Sequence, residues 1–126
     1  MIKYYFKMQI IVDESVTIEN IEEEVGFAPS RFIPKQESKN PNAKNHIINL
    51  ESKNFIDTYV EEMFTEYLKS LEPTLKKTKE FLEKTKAKIY FHIVFLEDDK
   101  TTPYSVGLEP DAIKVLADLD AYVFVD

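Results

Sequence analysis

Two histidines, a surplus of carboxylates and one run of lysines are where acid–base, metal or anion chemistry would have to reside in this 126-residue chain. A catalytic or metal-binding histidine needs convergent carboxylate or imidazole partners. His46 and His92 stand in neither an H-x-x-x-H nor an H-E-x-x-H spacing. His92 interrupts an aromatic strand pattern on its second face and reads as a strand histidine, as does His46 at a strand start. Glu97, Asp98 and Asp99 together could collect a hard cation, which takes several oxygen ligands. They lack the alternating Asp/Asn-and-Gly pattern of an EF-hand loop and read as a solvated hairpin turn. Asp118, Asp120 and Asp126 flank the last strand and are expected at the surface. From Lys76 to Lys88 six lysines accompany Glu80 and Glu83, which suits either an anionic partner or a solvated helix end. Glu22, Glu23 and Glu24 carry the mirror ambiguity.

Other chemistry is excluded by composition. There is no cysteine, so disulfides, thiolate metal sites and cysteine nucleophiles are absent. Glycine occurs only at Gly26 and Gly107, too few for a phosphate-cradling loop, and no G-x-S-x-G elbow is present. No residue is therefore assigned a catalytic, cofactor-binding or metal role. No cofactor is expected, and the chain is not expected to be an enzyme.

These residues are positioned by a short list of elements. In residues 2–12 the even set Ile2, Tyr4, Phe6, Met8, Ile10 and Val12 alternates with Lys3, Tyr5, Lys7 and Gln9. That period of two predicts a half-buried strand. Tyr5, on its wetter face, is the expected exposed aromatic among seven tyrosines (Tyr4, Tyr5, Tyr59, Tyr67, Tyr90, Tyr104 and Tyr122). A helix follows, with Thr17 as expected N-cap, a staple between Val16 and Ile21, Ile18, Ile21 and Val25 on one face, and Gly26 and Pro29 as stop signals. Residues 34–45 are polar with two prolines and read as an exposed loop. Residues 46–51 form a short strand, with Ile48 and Leu50 facing one side and Ile47 and Asn49 the other.

The longest helical pattern spans residues 54–86. Its stripe runs Ile56, Val60, Met63, Tyr67, Leu71, Leu75, Thr78, Leu82. Pro73 lies within it without breaking the phase, which predicts one kinked helix rather than two. Acids load its first half and lysines its second, matching the helix dipole. Residues 88–97 are apolar on both faces, with Ile89, Phe91, Ile93 and Phe95 on one and Tyr90, Val94 and Leu96 on the other, as in a covered or central strand. Tyr104, Val106 and Leu108 alternate as a return strand whose start Pro103 places at an edge. Pro110 opens a short helix with Ile113, Leu116 and Ala117 on its apolar face. Residues 121–125 form the last strand. The order β-α-β-α-β-β-α-β predicts a single α+β domain over residues 1–126: a two-layer sandwich with a mixed sheet of about five strands, one long kinked helix and two short ones.

The class follows from the totals. One domain is expected at this length. Apolar residues make up 44% and charged residues 31%, a globular balance. No window approaches the apolar run of a membrane span, and the N-terminus lacks a signal core, so a cytoplasmic location is expected. The net charge of −7 argues against a nucleic-acid partner. It is unevenly spread. Residues 13–24 hold six acids and no base, and residues 97–126 hold eight acids against two lysines, on either side of the basic 76–88 segment.

The run Val25-Gly26-Phe27-Ala28-Pro29-Ser30, the Leu71-Glu72-Pro73 step within the long helix, and the close from Leu108-Glu109-Pro110 through Leu119 to Asp126 resemble a bacterial family catalogued as domain of unknown function 4279. The resemblance covers nearly the whole chain. Members often carry a tryptophan at the start of the second strand, where this chain has His46 and Ile47. The family brings no established enzymatic activity and no site residues to transfer. Small acidic bacterial domains of related kind suggest, by analogy only, immunity proteins for secreted toxins.

The reading with most support from the sequence is a protein-binding module such as an immunity-type inhibitor of a toxin, with another protein as partner, no nucleic acid and no membrane. One alternative is a small ligand-binding or enzymatic domain using His92 and nearby carboxylates. Another is a structural or oligomer-forming protein, with monomer and homodimer both open.

Overall fold

The computed structural model describes residues 2–34, 45–96 and 106–126. Nine elements follow in order: β1 (Ile2–Asp13), α1 (Ile21–Val25), β2 (Arg31–Ile33), β3 (Asn45–Glu51), β4 (Phe55–Asp57), α2 (Val60–Thr85), β5 (Lys88–Phe95), α3 (Pro110–Asp118) and β6 (Tyr122–Val125). The strands form one mixed sheet in the order β2-β3-β1-β5-β6, with β4 also paired to β1. β1 is central. It pairs antiparallel with β3 from Lys7 to Asp13, with β4 from Ile2 to Tyr4, and with β5 from Tyr4 to Ile11. β6 runs parallel to β5, since α3 lies between them in the chain and carries it back. The fold is α+β, with a mixed open sheet, one long helix and two short ones.

Alternation along β1 builds the core. Tyr4, Phe6, Met8, Ile10 and Val12 are buried on one face, and α2 lies across them. The Phe6 ring meets Tyr4 at 5.4 Å, Phe55 at 5.5 Å, Phe64 at 5.2 Å and Tyr67 at 5.4 Å between centroids. Its backbone is satisfied just as closely. Ser52 accepts from the Phe6 N–H through its hydroxyl at 2.9 Å and donates its own N–H to the Phe6 carbonyl at 2.8 Å. Ser52 thus fills the gap in the ladder between β3 and β4, so no buried polar group of Phe6 is left unpaired.

Several sequence expectations are corrected here. Residues 55–57 are strand β4, not the start of the long helix, and Ile56 is 58% exposed instead of belonging to the helical stripe. The reason is tertiary. The start of β1 needs a ladder partner, and Phe55 stacks on Tyr4 at 5.4 Å. The buried stripe of α2 is also wider than the one read from spacing: Phe64, Leu68 and Phe81 join Val60, Tyr67, Leu71, Thr78 and Leu82. Pro73 sits inside this single helix. In the flanking turns the Ser70 and Thr74 hydroxyls donate to the carbonyls of Tyr67 and Leu71.

The first helix starts later than expected. Its N-cap is Asn20, not Thr17; the Asn20 side chain accepts from the Glu23 N–H, while Glu24 accepts from the N–H groups of Glu19 and Asn20. Gly26 closes the helix at φ 90°, where a Cβ would fall 2.7 Å from the Lys77 Cβ. The Thr78 hydroxyl, fully buried, donates to the Val25 carbonyl at 2.7 Å, with the Thr74 carbonyl also near at 3.1 Å, and fastens this turn to α2.

α3 buries Ala112 and Leu116, and Leu119 just beyond it is buried too, so its inner face is rotated from the expected Ile113, Leu116 and Ala117. Ile113 and Ala117 point outward. Val106, Gly107 and Leu108 belong to no strand; the rest of the expected return strand, including Tyr104, and the expected Glu97–Lys100 turn lie outside the described residues, as does most of the expected 34–45 loop. β2 is a three-residue strand that the sequence pattern did not give. No helix among the described residues is long and apolar enough to cross a membrane.

Two outcomes are expected. Phe6→Ala removes the ring on which four others converge and should lower unfolding free energy by about 3–5 kcal/mol, read from urea denaturation. Burial raises the pKa of the Tyr67 hydroxyl, which donates to the Leu50 carbonyl at 2.9 Å, above its ordinary value of 10.0. The folded state then holds this proton more tightly than the unfolded state. The contribution is full below pH 10.0 and falls as pH rises beyond it. Stability should therefore decline above that pH, and Tyr67→Phe should flatten that part of the profile.

Candidate functional site

Because α2 packs on the even face of β1, the odd face looks the other way. Register places the neighbours of each odd residue on that second face. Gln9 stands between Asn49 and Tyr90, and the row continues to Arg31 on one side and Tyr122 on the other. Lys7 stands between Glu51 and His92, with Phe124 beyond His92. Tyr5 faces Val94, and Ile11 lies between Ile47 and Lys88. Among the described residues, the main helix–sheet contacts are those of α2 with β1 and β5 on the opposite side, α1 and α3 pack against α2, and no helix lies over this face.

Its most concentrated feature is an aromatic cluster on β5 and β6. Tyr90 stacks with Tyr122 at 5.0 Å and 18°, and with Phe124 at 5.8 Å and 21°. His92 stacks on Phe124 at 5.5 Å and 27°. Tyr122 remains 48% exposed and Phe124 45% exposed. Period two explains both faces: Tyr90, His92, Tyr122 and Phe124 alternate with the inward-facing Ile89, Phe91, Ile93 and Val123. Around the cluster lie Lys3, Lys7, Arg31 and Lys88, with Glu51 and Asp126 as the carboxylates. Burial, helped by the charges of Glu51 and Asp126, raises the Tyr5 hydroxyl above its ordinary pKa of 10.0.

Asp126 ends the cluster. Its carboxylate accepts from His92 Nδ1 at 2.8 Å, which fixes the imidazole and leaves Nε2 as the free nitrogen. That Nε2 is buried without a hydrogen-bond partner, and so is Oδ1 of Asn49 on the same face. Orphaned buried polar atoms are uncommon in folded proteins.

The two histidines do not share a site. His46 opposes Val12 on the helix-covered face and His92 opposes Lys7 on the open one. His46 is buried, and its Nε2–H donates to the Val16 carbonyl at 3.0 Å, holding the turn before α1 against β3. Asp118 pairs with Lys79 at 2.9 Å, so it sits at the α2–α3 seam; that hydrogen bond raises the pKa of the lysine. Asp120 stands before β6 in left-handed conformation, at φ 50°. The lysines of α2 are partly engaged: Lys77 donates to the Glu23 carbonyl at 3.4 Å. Glu22, Glu23 and Glu24 lie in the first turn of α1, where Glu23 and Glu24 serve its cap. Glu97, Asp98 and Asp99 lie outside the described residues. Among the described residues no group of three or more His, Asp or Glu is placed to hold a metal ion. A cleft of about 330 Å³ at the start of α2 is lined by Glu61, Glu62 and Glu109 with Ile2, Tyr59 and Val106. No histidine reaches it.

A family model covers residues 3–126 of this fold. The chain belongs to the family described as domain of unknown function DUF4279. No curated protein and no solved structure matches it. The elements that frame this DUF4279 domain, from β1 to β6, fall within the matched range apart from Ile2, the open face included.

Sequence reasoning singled out Tyr5 and His92 on this face but not the pairing of Tyr90 with Tyr122 and Phe124, and the exposed tyrosines among the described residues are Tyr59 and Tyr122 instead of Tyr5, which is half-buried. The alternation in residues 88–95 and 122–125 carried the signal. Their adjacency needed the β5–β6 register.

The cluster should be separable from stability. Tyr122→Ser and Phe124→Ser remove half-exposed rings whose stacking is worth about 0.5–1.5 kcal/mol. Each should cost no more than about that in urea denaturation, well below the loss at Phe6.

Proposed function

We propose that this protein is a protein-binding module, of the kind that neutralises a toxin by docking on it, and that the open face of its sheet is the contact surface. The observation that carries the reading is the Tyr90–Tyr122–Phe124–His92 cluster, half-exposed on a face that no helix covers among the described residues. Tyrosine, phenylalanine and arginine are enriched where protein interfaces are most buried, and a few rigid aromatic anchors carry most of the binding energy. The surrounding Lys3, Lys7, Arg31, Lys88, Glu51 and Asp126 would form a polar rim of mixed sign.

Aromatics and cations on an open sheet also suit stacking of single-stranded nucleic-acid bases. Two features weigh against it. The rings of the cluster are turned face to face at 18–27°, so Tyr90 and Phe124 already stack on two neighbours each and offer little face to a base. The net charge is −7, and affinity for a phosphate backbone comes from positive charge. A hydrolytic or ligand-binding role for His92 has the Asp126 pairing in its favour, but the free Nε2 is buried, away from the solvent side of the face.

The test is capture of partners from the native host on immobilised protein at low and moderate salt, with a Tyr90→Ser/Phe124→Ser double variant alongside. A specific protein should be retained by the native chain and reduced at least tenfold by the double variant. Co-expression should restore growth of cells producing a captured toxin. If no protein is retained at either salt concentration, or if oligo-uridine is bound instead, the reading fails.

A further inference from the structure

β6 is the last strand of the sheet, and β5 is its one ladder partner among the described residues. The N–H of Asp126 donates to the Ile93 carbonyl, and the Asp126 carbonyl accepts from the Phe95 N–H. Backbone groups alternate sides along a strand. Asp126, Phe124 and Tyr122 therefore turn theirs toward β5, and Val123 and Val125 turn theirs outward. Beside this free edge, on the helix side, runs an open groove of about 470 Å³ lined by Leu108, Ile113, Leu116, Ala117, Ala121 and Val123, with Asp120 at its end. This accounts for the unexpected rotation of α3: Ile113, 51% exposed, and Ala117 form the outer wall of the groove instead of facing the core.

We infer that this edge and groove take an extended segment of a partner protein as an added strand, and that the segment is apolar on alternate residues and basic overall. The inference rests on the reading of the chain as a protein-binding module. Strand addition uses main-chain hydrogen bonds for affinity and alternate side-chain pockets for specificity. Val123 and Val125 supply the first. The groove against α3 supplies pockets for one set of side chains, and the other set falls beside Tyr122 and Phe124 on the open face. The charge of the partner follows from complementarity. Asp111 and Asp118 are paired with Lys69 and Lys79, but Asp120 and Asp126, at the two ends of the strand, have no lysine or arginine ion-pair partner among the described residues. The same charges oppose a second copy as occupant. Pairing β6 with β6 would set Asp120 and Asp126 of each chain against those of the other, between molecules of net charge −7.

The probe is a ten-residue peptide alternating lysine and valine. It is compared with its glutamate–valine counterpart and with a lysine–valine peptide N-methylated on alternate residues. Binding is followed by backbone amide NMR of the full chain. Saturable shifts should be confined to residues 113–125. Binding should weaken at least tenfold for the glutamate and N-methylated peptides, and for Val125→Pro and Ile113→Glu. Ile113→Glu alters an exposed side chain and keeps the test valid should Val125→Pro not fold. The proposal is overturned by shifts centred on Tyr5 and Tyr90, by equal affinity for the glutamate peptide, by absence of binding at millimolar peptide, or by concentration-dependent dimerisation that Val125→Pro abolishes. A captured partner whose retention is unaffected by both variants would also overturn the edge site and leave the module reading standing.

Discussion

Phe6 is the point on which the rest of the structure leans. Its ring is in contact with two residues of α2 and one of β4, and its main chain is satisfied by Ser52 at the junction of β3 and β4. Strand pairing on both sides of β1 and helix packing on its even face are therefore anchored at one residue. The consequence is directional. A central strand with period-two side chains, pressed against a helix on one face, must send every odd residue to the other.

That constraint separates two kinds of chemistry. On the covered face the polar groups serve the fold: His46 bonds to Val16, Thr78 to Val25, and Tyr67 to Leu50. On the open face they leave business unfinished. Asn49 and His92 each have a buried atom without a partner, and aromatic rings remain half in solvent. The sheet's outer strand adds a second unfinished feature, since β6 ends the ladder beside a groove floored by apolar side chains. Edges of this kind invite pairing and are usually blunted by charge or kept short. Here β6 has four residues with an aspartate before it and another after it, so both devices are present.

Local signals were strong where the period was long or the cap chemistry was unambiguous. The even set of β1, the left-handed Gly26, Pro110 at the first turn of α3 and the passage of one helix through Pro73 were all legible. Failures came where neighbours decided. Ile56 fits the helical stripe by spacing, yet the unpaired start of β1 draws residues 55–57 into a strand. Thr17 is a sound N-cap by type, but Asn20 makes the bond that starts the helix. In α3, Ile113 and Ala112 are one position apart, and only packing against α2 determines which of them is buried.

For function the division is sharper. The sequence by itself determined an acidic α+β domain without cysteine, glycine-rich loop or catalytic spacing, and it put Tyr90, His92, Tyr122 and Phe124 on alternate positions of two strands. Only the tertiary structure brought those strands side by side, in parallel and in the register that stacks the rings and sets Asp126 against His92. It alone put the two histidines on opposite faces and the groove beside the last strand. The physical reason is that alternation fixes which residues share a face, being a property of one strand's backbone. Which strands meet, and at what offset, depends on hydrogen bonds and packing between segments distant in the chain.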